Sequence, residues 1–189
     1  MIDPETSDDL LAKAFDTSGS EAAIELLVMR HGRALMGYLR AKTPEAEDVF
    51  QETWLRAIRG IHGFKGGSFR AWLIVIARNG MIDRARRARP AVSLDAQDDR
   101  GQTLGEKLPG NTLTAPVNLA EEEARRRIIE RVDALPAEQR EVFLLRTQQE
   151  LSFAEIAKLL GVPLNTALGR MHYAVTKLRR ELEMEHEQH

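Results

Sequence analysis

Apolar side chains recur along this chain at spacings of three and four residues, the period of helices that bury one face. Asp8 and Asp9 precede Leu10, Leu11, Ala14 and Phe15 and predict a short first helix. Ser20 can cap a second helix carrying Ile24, Leu27, Val28, Leu35 and Leu39. Thr43, Pro44 and Glu45 are a start signal, with an N-cap hydroxyl, a proline at the first helical position and an acid in the first turn. They predict a third helix that buries Ala46, Val49, Phe50, Trp54 and Ile58. After Gly60, Gly63, Gly66 and Gly67, Ser68 starts a fourth helix with Trp72, Leu73, Ile76, Ala77, Gly80 and Met81 on one side, running to about Arg89.

A second set of helices follows near residue 120. Glu121 to Leu135 predicts one helix, and Pro136 opens another that ends near Thr147. Ser152 and Glu155 have capping-box spacing, and Gly161 stands where a helix ends. A last helix is expected from about Asn165 to Leu182. A short helix, a glycine-containing turn and a longer basic helix make a helix-turn-helix pattern. By pattern alone it is either a DNA-reading unit or an ordinary helical hairpin.

Between the two sets, Pro90 to Val117 has no sustained periodicity and carries three prolines, three glycines, Asp95, Asp98 and Asp99. Structureless stretches beyond ~15 residues are uncommon inside one domain. The expected architecture is all-α: two small helical domains, residues 1–90 and 120–189, joined by a flexible acidic linker, 91–119.

Composition narrows the function classes. The 189 residues contain no cysteine, which excludes disulfides, thiolate catalysis and cysteine-ligated metals. No apolar run approaches the ~20 residues of a membrane span, and Met1 to Leu11 has no signal-peptide core. A cytoplasmic protein without membrane insertion is expected. The formal net charge of −2 conceals blocks: −5 over residues 1–23, +7 over 24–90, −5 over 91–123 and +5 over 124–180. Two basic blocks around an acidic spacer fit two polyanion-binding modules or a set of solvated helix faces. The histidines have no metal-site spacing, His186 and His189 in the acidic tail being solvated. No nucleotide-binding loop or hydrolase motif is present, so a hydrolase or transferase has no support and no cofactor is expected.

Three constellations carry candidate chemistry. On the third helix, Asp48, Gln51, Glu52, Leu55 and Arg56 lie at i, i+3, i+4, i+7 and i+8, one stripe opposite the apolar face. By spacing it is either a docking surface or a solvated charge ladder. The segment Gly63-Phe64-Lys65-Gly66-Gly67-Ser68-Phe69 mixes rings, glycines and a cation. The helix after it presents Arg78, Arg84, Arg86, Arg87 and Arg89 against Asp83 alone. Rings beside a cationic groove suit single-stranded nucleic acid, although the same rings can equally be core. The third constellation is the basic last helix.

These residues resemble a known family. AEDVFQETWLRAIRGIHGFKGGSFRAWLIVIARNGMIDRARRAR, from Ala46 to Arg89, resembles region 2 of an extracytoplasmic-function sigma factor. LPAEQREVFLLRTQQELSFAEIAKLLGVPLNTALGRMHYAVTKLRREL, from Leu135 to Leu182, resembles region 4. The resemblance implies a non-enzymatic initiation factor. Its partners would be core RNA polymerase (the β′ clamp helices and the β flap), promoter DNA and an anti-sigma factor. Asp48, Gln51, Glu52, Leu55 and Arg56 would form the clamp-binding face. Phe64, Lys65, Ser68, Phe69 and Asn79 would hold a flipped base of the minus-ten element. Arg78, Arg84, Arg86 and Arg87 would follow the DNA backbone. Arg146, Pro163, Asn165, Thr166, Leu168, Gly169, Arg170, His172 and Tyr173 would occupy the minus-thirty-five reading unit.

The chain departs from that family where the last helix should read. Lys or Arg and then Ser usually precede the arginine matched by Arg170, and here Leu168 and Gly169 stand there. Tyr173 replaces a common basic residue. Gly169 costs the helix roughly 1 kcal/mol relative to Ala. The reading helix therefore has fewer phosphate and guanine partners than its relatives. From a different class, a free-standing helix-turn-helix regulator binding operators as a dimer is the alternative.

Overall fold

The computed structural model describes residues 3–88 and 119–186, with side chains over 3–87 and 123–183. Among the described residues all regular structure is helical. They fall into two compact units, one within residues 1–99 and one within 100–189. The predicted linker lies outside the described residues except for Leu119, as do Arg89 and His189.

The first unit holds four α-helices: α1 (Asp8–Ser18), α2 (Glu21–Arg40), α3 (Ala46–Arg59) and α4 (Phe69–Ala88). A 3-10 turn, Ile61–Gly63, follows α3. α2 is the central element, burying Ala23, Leu27, His31, Leu35, Tyr38 and Leu39 between α1 and α3. α3 buries Ala46, Val49, Thr53, Trp54 and Ala57, and packs on both α2 and α4. α3 starts two residues later than its start signal predicts: Glu45 is the N-cap, without a side-chain cap bond, and Pro44 lies before the helix, while Thr43 Oγ1 accepts the Glu45 N–H at 3.2 Å within the preceding turn. Phe50 and Ile58, expected in the core, are half-buried, and Thr53 takes an inner place in helical phase with Val49 and Ala57, its hydroxyl satisfied by donating to the Val49 carbonyl at 2.6 Å.

The buried face of α4 is rotated from the predicted one. Phe69, Leu73, Ile74, Ala77 and Gly80 are buried, while Trp72, Ile76 and Met81 are half-buried. The rotation follows from an aromatic cluster at the start of α4. Phe69 touches His31, Trp54, Phe64 and Trp72, with ring centroids 5.3–6.4 Å apart.

The second unit comprises α5 (Leu119–Asp133), α6 (Ala137–Thr147), α7 (Phe153–Leu160) and α8 (Leu164–His186). Val142, Leu144, Leu145, Leu151, Ile156, Ala157, Ala167 and Ala174 form the core of α6, α7 and α8. The predicted capping box is present: Ser152 Oγ accepts the Glu155 N–H at 3.2 Å, and the Ser152 N–H donates to Glu155 Oε2 at 2.7 Å. A cap of this kind contributes about 1 kcal/mol. Gly161 closes α7 at φ 67°, a left-handed conformation that glycine adopts without Cβ strain. α8 starts at Leu164, one residue before the predicted start.

Candidate functional site

The stripe predicted on α3 is present, but its two edges differ. Asp48, Gln51 and Leu55 are exposed, Leu55 at 52%. Glu52 and Arg56 are half-buried because α4 lies against them. Arg56 Nη2 donates to Glu52 Oε1 at 2.6 Å, and its Nη1 donates to Asp83 Oδ2 at 3.2 Å. Arg84 reaches Asp48 at 3.4 Å, Glu45 at 3.5 Å and Glu52 at 3.7 Å. Sequence spacing missed Glu45 and Asp83 as members of this network. The signal available was weak: adjacent opposite charges, Asp83 and Arg84, one helix away from the stripe.

The cationic residues of α4 divide accordingly. Arg84, expected on the DNA side, is turned onto the carboxylates of α3. Arg86 and Arg87 are exposed, and Arg78 is half-buried. Asn79 is exposed and shares a stripe with Val75, Ile82 and Arg86 at i−4, i+3 and i+7, all exposed.

The loop before α4 places its residues unequally. Phe69 is 1% exposed, so its ring belongs to the core and offers no face to a base; this corrects its assignment as a base contact. Phe64 is half-buried, resting on Phe69 and Trp72 at 5.3 and 5.4 Å. Lys65 is exposed, with Nζ donating to the His62 carbonyl at 3.2 Å. Ser68 Oγ accepts the Ala71 N–H at 3.1 Å and so serves as a helix cap. Gly66 and Gly67, at φ 89° and 94°, make the turn that presents this loop. α1 supports it: the Asp9 carboxylate lies against Gly66, a neighbour that sequence spacing does not reveal.

α1 is itself fastened to α2 by Asp8, which accepts from Arg30 Nη1 and from His31 Nε2, both at 2.8 Å. Burial lowers the His31 pKa from 6.5, opposed by Asp8 and reinforced by Arg70 and Arg30. The Asp8 carboxylate can only accept, so the ring donates from Nε2, and among the described residues its buried Nδ1 has no hydrogen-bond partner.

In the second unit, α8 follows the turn at Gly161 to Pro163 and buries Ala167 and Ala174. Asn165, Leu168, His172, Tyr173 and Thr176 are exposed, Leu168 at 42% and Tyr173 at 64%. Pro163 is exposed and Thr166 half-buried. Arg170 turns toward α6, where its Nη2 donates to Glu138 Oε2 at 2.6 Å. Arg146 donates to the Leu151 carbonyl at 3.1 Å and lies 5.5 Å from the Phe153 ring centroid. Lys158, Arg179 and Arg180 are exposed cations that the motif reading left out. Their signal was the net charge of +5 over residues 124–180.

Among the described residues no group of three or more His, Cys, Asp or Glu could hold a metal ion. No described helix is long and apolar enough to cross a membrane.

Comparison with known proteins places both units. The family model for Sigma-70 region 2 matches residues 27–90, and that for Sigma-70, region 4 matches residues 125–178. The chain is 34% identical over 179 residues to the ECF RNA polymerase sigma factor SigL of Mycobacterium tuberculosis, spanning 92% of this chain and 97% of that protein. It is 30% identical over 164 residues to the ECF RNA polymerase sigma-E factor of Escherichia coli, spanning 82% and 84%. A similar solved structure is CnrH in complex with the cytosolic domain of CnrY, with a TM-score of 0.65 and 27% identity over 96% of this chain and 99% of that one. With both regions matched in order and full-length relatives at this identity, the chain belongs to the extracytoplasmic-function RNA polymerase sigma factors, which act in transcription initiation.

Proposed function

We propose that this sigma factor brings core RNA polymerase to particular promoters by reading two elements and helping to open the duplex. The exposed edge of α3, with Asp48, Gln51 and Leu55, docks on the β′ clamp helices, and the second unit meets the β flap. The α7–α8 pair binds the minus-thirty-five element with α8 in the major groove. In the first unit, Phe64 and Asn79 hold a base taken out of the stack. Stacking and edge contacts there offset an unstacking cost of a few kcal/mol. Phe69 acts from beneath, as the buried support of Phe64. The factor would work in the cytoplasm with the polymerase. Its resemblance to CnrH, solved with a cytosolic protein domain bound, supports regulation by an anti-sigma partner.

One observation carries this reading. The chain combines a capped helix-turn-helix whose second helix has an exposed polar and apolar face with a separate region 2 unit whose α3 keeps an exposed stripe. A free-standing operator-binding regulator needs only the first. The test is titration of fluorescently labelled chain with core RNA polymerase, followed by transcription from linear templates. Saturable binding with promoter-dependent transcripts supports the proposal, and duplex binding without polymerase affinity would sink it.

A further inference from the structure

We infer that α8 reads the C5-methyl group of a thymine in the upstream promoter element through Leu168, at a place where Gly169 lets the duplex come close to the helix backbone. The inference rests on the proposed reading of duplex DNA by α8 and adds which base chemistry that helix selects.

Three observations converge on it. Ala167 and Ala174 mark the buried side of α8, and Asn165, Leu168, His172 and Thr176 lie on the outward side at helical spacing. Leu168, 42% exposed, is the aliphatic member of that stripe. Next, nothing among the described residues accounts for Gly169. Among the described residues a Cβ there would meet nothing within 4 Å, and its backbone is not left-handed, so an alanine fits without strain and would favour the helix. The open space beside Gly169 leaves room for a close neighbour, which the inference assigns to the duplex. Finally, the centre of the reading face has no Lys or Arg free of an internal carboxylate. Between Leu164 and Thr176 the sequence has no Lys and one Arg, Arg170, whose guanidinium is held by Glu138 at 2.6 Å, and the remaining basic side chain is the imidazole of His172. Exposed Lys158, Arg179 and Arg180 stand on α7 and farther along α8.

The division of labour follows from these positions. Cations away from the stripe can meet phosphates, which position the protein without specifying sequence. An aliphatic side chain in the major groove has one kind of partner on a base edge, the C5-methyl group of thymine. A methylated cytosine presents the same methyl on a different base, so the two sources must be separated by experiment.

The test uses holoenzyme assembled from the full chain and core RNA polymerase. A duplex is first selected from a pool randomised through the upstream element. Each upstream thymine is then replaced in turn by deoxyuridine, which keeps the pairing and the O4 acceptor and removes the methyl alone. At one or two positions this change is expected to weaken binding about three- to fivefold, the loss of one buried methyl contact. Leu168→Ala should lose the same factor on the thymine duplex and become indifferent to deoxyuridine at that position. Gly169→Ala should raise the melting temperature by about 3 °C while weakening duplex binding, opposite signs that a merely structural glycine would not give. A 5-methylcytosine–guanine pair at the sensitive position should bind less well than the thymine pair. Tighter binding there would make methylated cytosine the ligand and overturn the thymine assignment. Indifference to deoxyuridine at every position overturns it as well. So does a Leu168→Ala variant that keeps the deoxyuridine penalty or loses polymerase binding instead of duplex binding. Undiminished duplex binding by Gly169→Ala overturns the close-approach role. A holoenzyme that selects no upstream sequence overturns the parent reading, whereas one that selects a sequence yet ignores deoxyuridine overturns the methyl reading alone.

Discussion

Arg84 Nη2 lies 3.4 Å from Asp48 Oδ2, so α4 sets a cation on the edge of the face that α3 offers to a partner. Glu45 and Glu52 approach the same guanidinium at 3.5 and 3.7 Å. One arginine thus serves three carboxylates, and its charge is directed at α3 rather than along the outer face of α4. Half-exposed ion pairs of this sort contribute little to stability, under about 1 kcal/mol each. Their value here is to fix where the carboxylates point.

Arg84→Ala is therefore expected to leave thermal melting nearly unchanged and to lower affinity for core polymerase about threefold or more. Arg86→Ala and Arg87→Ala, on exposed positions, should leave polymerase affinity alone. Each should instead reduce the salt dependence of DNA binding, by about 0.7–0.9 in the slope of log K. Fluorescence titration with core polymerase, and salt titration of holoenzyme on promoter DNA, separate the two behaviours. Identical behaviour of all three variants would show that the α3 network has no part in docking.

Removing the exposed edge of α3 gives a sharper test of the docking face. Gln51→Ala combined with Leu55→Ala truncates two exposed side chains and should keep stability within about 0.5 kcal/mol per site. Polymerase affinity should fall at least tenfold. Glu52→Lys is a poorer probe, because it places a cation between Arg56 and Arg84 and should cost the fold about 1 kcal/mol. Circular dichroism melts beside the binding titration distinguish a lost contact from a lost fold. Unchanged affinity in the Gln51/Leu55 variant removes this face from the interface.

The contrast between Leu55 and Glu52 shows what the sequence could and could not reveal. Helical spacing alone puts both on one stripe, because the rotation per residue is a property of the backbone. It does not say which edge a neighbouring helix covers. That depends on the α3–α4 packing, which brings Asp83 and Arg84 across Glu52 and Arg56. The capping box of α7 was fully legible, since its partners are three residues apart and its geometry is local. Phe69 was not. A ring after two glycines and a serine reads equally as a base platform or as core, and the decision is made by His31 and Trp54 on distant helices. In the same way, Arg170 matches a reading position in sequence, yet Glu138 on α6 draws its guanidinium away.

The buried His31 gives the first unit a pH dependence with a definite sign. Burial, followed in size by the opposing charge of Asp8, leaves the folded-state pKa below 6.5. The unfolded chain then takes up the proton more readily than the folded one, so stability is complete above about pH 6.5 and declines as pH falls through that value. Carboxylates titrate mostly below about pH 5, which separates the two effects. Both tryptophans, Trp54 and Trp72, lie in this unit, so their fluorescence reports on it alone. Denaturant midpoints should fall between about pH 7.5 and about pH 5.5 in the wild type. His31→Gln, which keeps a donor for Asp8 without titrating, should flatten that decline. An equally steep decline in the variant would mean that another group is responsible.

The rings around α4 yield the last prediction, which separates support from contact. Phe69 is buried among His31, Trp54, Phe64 and Trp72, so Phe69→Ala removes a core ring and should cost about 3–5 kcal/mol. That variant is expected to lose both polymerase binding and promoter opening through unfolding. Asn79 is exposed, and Asn79→Ala should change stability by less than about 0.5 kcal/mol. Its amide can donate and accept at a base edge, so its loss should alter which base is preferred at one minus-ten position. Phe64 lies between these extremes, half-buried with its ring resting on Phe69. Phe64→Leu keeps an apolar side chain against that ring and removes the aromatic face. Stacking is worth about 1–3 kcal/mol per base, so the permanganate-reactive open complex should fall roughly five- to 150-fold on all sequences while polymerase affinity stays near wild type. If Phe64→Leu opens promoters normally and Asn79→Ala keeps the wild-type base preference, neither residue holds an extruded base. The loop from Gly63 to Ser68 would then serve only to join α3 and α4.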